Sequence, residues 1–336
     1  MNNFENVKLD RSMYKITGKS FSEVLEGEDN SSEYKNTAFS KLDAFQRQLK
    51  RFDIKVASKA CDTVEKFFKT SDSATLFPEY LTRAARQGLE ESGVIDSIIA
   101  AKTKVDSLDY RSICSIPTDD ERELKAVMEG AVIPETQIRL KDNLIRLFKR
   151  GRMLVSSYEA LRFQKLDVFT VTLKQIGSYI AKSQLRDAVN VLINGDGNDN
   201  PAQTISAKTS GQLCYEDLLT LWSSFGAYEM NTLLVSPDTM VKLLSIDEIR
   251  NPAAEVTVNK NGTYIPALGA TVIKSDVVPD GKIIALDKKC ALEMVIAEEI
   301  MVEHDKLINR QLEETAVTST AGFAKLFPEA VKVLEI

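Results

Sequence analysis

Histidine is almost absent from this chain: His304 is the only one in 336 residues. A single imidazole excludes two-histidine zinc helices and leaves little for histidine-based acid–base chemistry. His304 lies in EEIMVEHDK, a strand-like stretch where packing or exposure is the ordinary role. Cysteine is nearly as sparse. Cys61, Cys114, Cys214 and Cys290 lie far apart with no CxxC pair, so zinc spacing is missing. They read as free buried thiols in a reducing compartment. No apolar run approaches the ~18 residues of a membrane span. The first residues, MNNFENVKLDRSMYK, have no secretory apolar core. A soluble intracellular product without a membrane partner is expected. Basic excess is lacking as well: the net charge is −6, the wrong sign for a dedicated DNA reader. Proline is scarce, with nine residues, and 43% of the chain is hydrophobic, so a large folded core is expected.

The motifs that carry chemistry fail one by one. The stretch VLINGDGNDNPAQ, 191–203, has the oxygens of a calcium loop. Counted from Asn194, however, position 6 is Asp199 instead of glycine and position 12 is Ile205 instead of glutamate. Read as a dinucleotide fingerprint, Gly195 and Gly197 need a third glycine where Asn200 stands, and the stretch follows a helix, not a strand. Gly18-Lys19-Ser20 hints at a phosphate loop, but Met13 occupies the position of the required first glycine. No GxSxG or HExxH occurs. No cofactor and no metal is expected, and the chain reads as a protein without catalytic activity.

What is present is pattern. Phe169, Leu173, Ile176, Ile180, Leu185, Val189 and Leu192 recur at gaps of three to five and predict one helix over 168–193. About 26 residues at ~1.5 Å each make a rod of roughly 39 Å. Asn194-Gly195 supplies the left-handed stop, and Gly177 inside the rod marks a bend or a close contact. The opening residues 1–38 suit an extended arm. From 39 to 70 a helical stripe of Leu42, Phe45, Leu49, Phe52, Val56, Val64 and Phe67 faces a basic side with Lys41, Arg47, Lys50, Arg51, Lys55, Lys59 and Lys66. Such a stripe must pack on the main domain, on another copy or on a partner. The basic side reads as solvated, with contact to nucleic acid as the other reading.

Further along, Pro78 starts a helix that Gly93 stops, and Ile95 to Val105 suits a strand. Residues 106–165 read as a long charged excursion followed by strands, a projecting hairpin with too little core to stand alone. Tyr215–Phe225 reads as a helix, NTLLVS as a buried strand, and Pro237–Leu244 as a second helix. Short strands follow, TYIPAL, GATVIKS, GKIIALD and ALEMVIAEE, then a strand to Leu326 and a short apolar tail. The class is α+β, with the strands concentrated after 230.

In this order the parts resemble the major capsid proteins of tailed bacteriophages, the Hong Kong 97 phage-type fold. The resemblance rests on EGAVIPETQIRL (129–140), the long helix ending in NGDG, NTLLVSPDTMVKLLSI, LGATVIKSDVVPDGKIIALD and FAKLFPEAVKVLEI, and covers roughly residues 76–336. It implies an N-terminal arm over 1–75, a peripheral domain from 76–105, 151–207 with the spine helix and the closing strand 307–336, an extended loop over 106–150, and an axial domain over 208–306. Only about 75 residues precede LFPEYL, which leads to the expectation of a separate scaffolding protein or of no cleavage. No covalent cross-link is expected, although Lys125 lies in the loop.

The implied function is a shell: pentamers and hexamers of this chain around phage double-stranded DNA, bound without sequence preference. A portal protein is the further implied partner. The virion capsid is the implied location, after assembly in the host bacterial cytoplasm. Arg139, Lys141, Arg146, Lys149, Arg150 and Arg152 cluster at the loop's base. Pairing of these six residues, Arg139, Lys141, Arg146, Lys149, Arg150 and Arg152, with acidic residues of a neighbouring copy is one reading, and a solvated strand face is the other. Phe45, Leu49 and Phe52 complete the candidate assembly surface. An encapsulin-like compartment housing a cargo enzyme is the alternative, with the amphipathic N-terminal stretch as the docking face.

Overall fold

The computed structural model describes residues 4–16, 19–57, 60–107, 109–114, 126, 128–129, 139–250, 257–258, 263–265 and 268–336. In chain order the elements begin with α1 (Phe21–Glu28), α2 (Ala44–Arg51), α3 (Ser71–Thr75) and α4 (Phe77–Glu91). Then come β1 (Ala101–Lys104), β2 (Ile113–Cys114), β3 (Arg139–Leu140), β4 (Phe148–Ser157), α5 (Tyr158–Phe163) and the long helix α6 (Leu166–Asn194). β5 (Gln203–Ser206), α7 (Tyr215–Ser223), β6 (Thr232–Val235), α8 (Pro237–Leu244) and α9 (Asp247–Arg250) follow. The remainder is strand: β7 (Thr257–Val258), β8 (Thr263–Ile265), β9 (Thr271–Lys274), β10 (Lys282–Leu286), β11 (Leu292–Leu307), β12 (Leu312–Lys325) and β13 (Val331–Glu335). Two compact units result, one from 1–92, 150–180 and 300–319, the other from 93–149, 181–299 and 320–336.

The first unit gathers the N-terminal helices. α1 and α2 each open on a capping box, Ser20 with Glu23 and Asp43 with Gln46. Leu9, Met13, Phe21, Leu25, Phe45, Leu49, Val64 and Phe67 pack with Phe77, Tyr80 and Leu81 of α4 and with Leu166, Phe169 and Leu173 of α6. The described part of 1–75 is therefore a folded layer, not an extended arm. The apolar residues of 1–38 show no period, yet they fill one core with those that follow. The stripe over 39–70 is also not one helix. α2 ends at Arg51 in a Schellman turn: Asp53 has φ +50, its N–H reaches Lys50 O at 3.0 Å, and Ile54 N–H reaches Leu49 O at 2.8 Å. Val64–Lys69 follows as a separate 3₁₀ turn. Arg47 leaves the expected solvated face and lies fully buried, its Nε 2.7 Å from Asp29 Oδ2 and its guanidinium over the Tyr34 ring. Gly177 marks a close contact: a Cβ there would stand 2.0 Å from Ala85 O of α4, and one at Gly88 would stand 2.0 Å from Lys174 O.

The second unit is built on a seven-stranded sheet in the order β5-β13-β10-β6-β9-β8-β7. Both faces are covered, so KIIAL and TLLV read as unbroken apolar runs instead of alternating ones. Ile284, Leu286, Val331 and Val333 face Leu185, Ala188, Val189 and Leu192 of α6. Ile283, Ala285, Leu233 and Leu334 face Leu218 and Leu221 of α7 and Met240 and Leu243 of α8. The expected apolar tail is β13, an internal strand antiparallel to β10 and parallel to β5. A separate sheet orders β1-β11-β12-β4, with β4 at its edge among the described residues.

Candidate assembly surface and loop root

β4 carries half of the expected cationic cluster. Lys149 and Arg152 are exposed on it, Arg150 is half-buried, and Arg146 stands exposed just ahead of it. Phe148, Met153 and Val155 on the same strand are also exposed, as is Leu144 before it. Charges on a strand that is an edge among the described residues guard it against uncontrolled strand pairing. Gly151 lets β4 approach β12 closely: a Cβ there would stand 2.6 Å from Val317 O. Arg139 is placed only by its backbone in β3, and Lys125 lies outside the described residues, as does nearly all of EGAVIPETQIRL.

The other expected contact residues do not join this surface. Phe45 and Leu49 are 3% and 6% exposed in the core of the first unit. Phe52 is half-buried against that core, under the Arg51 guanidinium. Their spacing signals burial, and the chain itself supplies the burial.

The two strands flanking residues 115–138 are rooted in the second unit. β2 and β3 pair antiparallel, Ile113 opposite Leu140 and Cys114 opposite Arg139. Lys141 N–H bonds Ser112 O at 2.9 Å, and Ile145 N–H bonds Tyr110 O at 2.9 Å. Ile145 packs with Val295 and Ala324. On the outgoing side, the buried Glu293 of β11 accepts hydroxyl bonds from Thr103 at 2.5 Å, from Tyr110 at 2.8 Å and from Ser112. Burial and the Glu293 carboxylate both push the Tyr110 phenol up.

On the returning side the NGDGNDN turn finds its role. Gly195 stops α6 at φ +87, with its N–H on Val191 O at 2.9 Å. Asn200 Oδ1 accepts the Asp196 N–H at 3.0 Å and closes the turn. Asp196 is thereby held where Lys141 Nζ donates to its Oδ2 at 2.6 Å and the Lys325 backbone N–H donates at 2.9 Å. Lys141 Nζ also reaches Lys325 O at 2.5 Å, and Lys325 Nζ reaches Asn200 O at 2.8 Å. Asn143 adds bonds to Asn198 Oδ1 and Gly197 O. Burial alone would raise the Asp196 carboxyl. Hydrogen bonds from Lys141 and Asn198, with the Lys141 charge, outweigh it and leave the group below the usual carboxylate range. Burial drives the Lys325 amine the other way, down to about 8, against the attraction of Asp196 and helped by the Lys141 charge. Lys141, expected to pair with a neighbouring copy, pairs instead with Asp196 of its own chain. Nothing in their spacing joined them, because the contact crosses 55 residues.

His304 lies in the first unit. Its Nδ1 is 3.0 Å from Thr315 Oγ1 and its Nε2 is 3.4 Å from Glu313 Oε2, beside the rings of Phe68 and Phe77. The set has the residue types of a hydroxyl–imidazole–carboxylate relay, but Thr315 is buried, which closes its hydroxyl to a substrate. In the second unit the only tryptophan, Trp222, is half-exposed on α7 beside a cavity of about 520 Å³ that Tyr228, Met230 and Leu268 also line.

A family model described as phage capsid protein matches residues 140–331. Similar solved structures include the virus-like particle from Pyrococcus furiosus, 14% identical at a TM-score of 0.52, over 77% of this chain and 99% of that one. The capsid of cyanophage P-SCSP1u is 14% identical at a TM-score of 0.52, over 72% of this chain and 88% of that one. The holo-SrpI encapsulin complex from Synechococcus elongatus PCC 7942 is 16% identical at a TM-score of 0.52, over 70% and 84%. No curated protein matches the sequence.

Proposed function

The chain belongs to the phage capsid protein family, and from that premise we propose that its copies assemble through pentamers and hexamers into an icosahedral shell around phage double-stranded DNA. The fold is the α+β capsid fold of the Hong Kong 97 type, and the role of the family is structural. The observation that supports assembly most directly is the edge strand β4, with Lys149 and Arg152 exposed beside Phe148, Met153 and Val155. In this reading the cations at 146–152 pair with acidic residues of a neighbouring copy. The contact is heterologous, and repeated by rotation it closes a ring. DNA is held without sequence preference and weakly per copy, consistent with a net charge of −6. A portal protein and a separate scaffolding protein complete the partners. The virion capsid is the location, reached after assembly in the host bacterial cytoplasm.

The likeness to an encapsulin favours a second reading, a compartment that houses a cargo enzyme. The proposed docking face for cargo loses support from the burial of Phe45 and Leu49.

Negative-stain electron microscopy of the expressed chain after size exclusion tests both. Closed shells or rings support assembly. A monomer that stays monomeric with scaffolding protein from the neighbouring genes overturns it. DNA or a portal protein in the shells favours the capsid, and a co-packaged enzyme favours the compartment.

A further inference from the structure

The node at Lys141, Asp196 and Lys325 has more positive charge than it balances. Three segments distant in sequence contribute to it: the strand returning at 139–146, the turn at 195–200, and the end of β12. Lys141 and Asp196 form a direct pair, whereas the Lys325 ammonium reaches a backbone carbonyl, Asn200 O. All three side chains are buried. The charges acting on Lys325 are Asp196 from the turn and Lys141 from the returning strand. Among the side chains the structure describes, the other ionisable groups on those segments, Asp142, Arg146 and Asp199, are exposed to solvent. Glu293 on β11 is engaged by the hydroxyls of Thr103, Tyr110 and Ser112. Two ammonium groups thus share one carboxylate in a place where water screens little.

We propose that this node is a proton-sensitive latch fixing residues 139–146 against the turn at 195–200 and the end of β12. With both lysines charged, their repulsion in a dry surround favours release of the strand. When Lys325 gives its proton to solvent, its neutral amine still donates to Asn200 O, and the Lys141–Asp196 pair holds the strand without a competing cation. Linkage sets the size of the effect. An opening that hydrates Lys325 returns its amine from about 8 to its ordinary 10.5 and takes up a proton. Opening is therefore about tenfold more frequent at pH 7 than at pH 9.

Hydrogen exchange of the purified full chain, read by mass spectrometry and corrected for the intrinsic pH dependence of exchange, tests this. Peptides covering 139–147 are followed against β10 as an internal reference. In the wild type, opening of 139–147 is expected to fall about tenfold from pH 7 to pH 9 while β10 stays level. In Lys325→Met the difference is expected to vanish, with opening at pH 7 already at the low level. A flat wild-type profile overturns the latch, and so does a tenfold change that survives in Lys325→Met. The wild-type series decides alone if the variant does not fold.

Discussion

Lys141 Nζ lies 2.6 Å from Asp196 Oδ2, and only 3% and 1% of the two side chains is accessible to solvent. The pair joins the strand that returns at 139–146 to the end of the long helix. Removing one member leaves the other charge buried and unpaired, which costs far more than a surface pair would. Asp196→Ala is expected to lower stability by about 3–5 kcal/mol. Asp199→Ala, at an exposed position of the same turn, is expected to cost much less, although its φ of +53 suits aspartate better than alanine. Chemical denaturation of both variants, monitored by circular dichroism, checks the contrast. Equal losses would mean that the turn, not the ion pair, sets the stability.

Gly177 and Gly27 are both helical glycines, and alanine should affect them in opposite directions. Alanine gains about 1 kcal/mol of helix propensity at an open site. Beyond its chain neighbours and its own helix backbone, nothing lies within 4 Å of a Cβ at Gly27, so Gly27→Ala is expected to stabilise. At Gly177 the added carbon meets Ala85 O at 2.0 Å, a backbone atom that cannot turn aside. Gly177→Ala is expected to destabilise by about 1–3 kcal/mol after the helix must shift. Melting temperatures of the two variants, measured together, decide it.

Phe45 and Leu49 test whether the N-terminal layer is core or contact surface. Both sit in the cluster with Phe77, Leu81 and Leu173. Phe45→Ala and Leu49→Ala are each expected to cost about 2–5 kcal/mol in the unassembled chain. A variant that melts like the wild type but fails to assemble would return these residues to the interface.

Local signals are legible in the sequence, and long-range ones are not. The apolar spacing from Phe169 to Leu192 marks the long helix, and Gly195 marks its stop, because both are properties of neighbouring residues. The strands around Leu234 and Ile284 are legible for the same reason. The break of α2 at Asp53 is hidden, since an aspartate in a left-handed turn leaves no glycine to see. β13 looks like a tail because its partners, β5 and β10, lie far away in sequence. Arg47 looks solvated because its partner Asp29 belongs to a segment without periodicity. The Lys141–Asp196–Lys325 node combines both limits: each residue sits beside a readable turn or strand, and only the fold brings them together.

Glu313 should shape the acid side of the stability curve. Burial raises its carboxyl, but the neighbouring His304 imidazole and Lys306 ammonium outweigh that and hold it below its ordinary 4.5. Lys306 Nζ is 2.9 Å away. A depressed folded value means that the stabilisation is complete above the ordinary carboxylate range and is lost as pH falls through the lower folded value. Thermal melts between pH 3 and 7 are expected to show a smaller acid loss in Glu313→Gln than in the wild type, with a lower melting temperature at pH 7. An unchanged acid limb would show that other carboxylates control it.

The cations of β4 and its approach give the most direct test of assembly. Arg146 and Arg152 are exposed, so reversing their charge removes little from the folded chain, where exposed pairs are worth about 0–1 kcal/mol. Across an interface the same reversal places like charges together and opposes the contact. Arg146→Glu with Arg152→Glu is expected to leave the melting temperature of the unassembled chain within about 2 °C of wild type. Shell formation is expected to fall at least tenfold, read by light scattering and electron microscopy. Salt should act in the same direction, because raising ionic strength screens these pairs. Wild-type shells that form equally well in low and high salt, together with full assembly of the double variant, would show that β4 is a solvated face and that the apolar residues beside it make the contact.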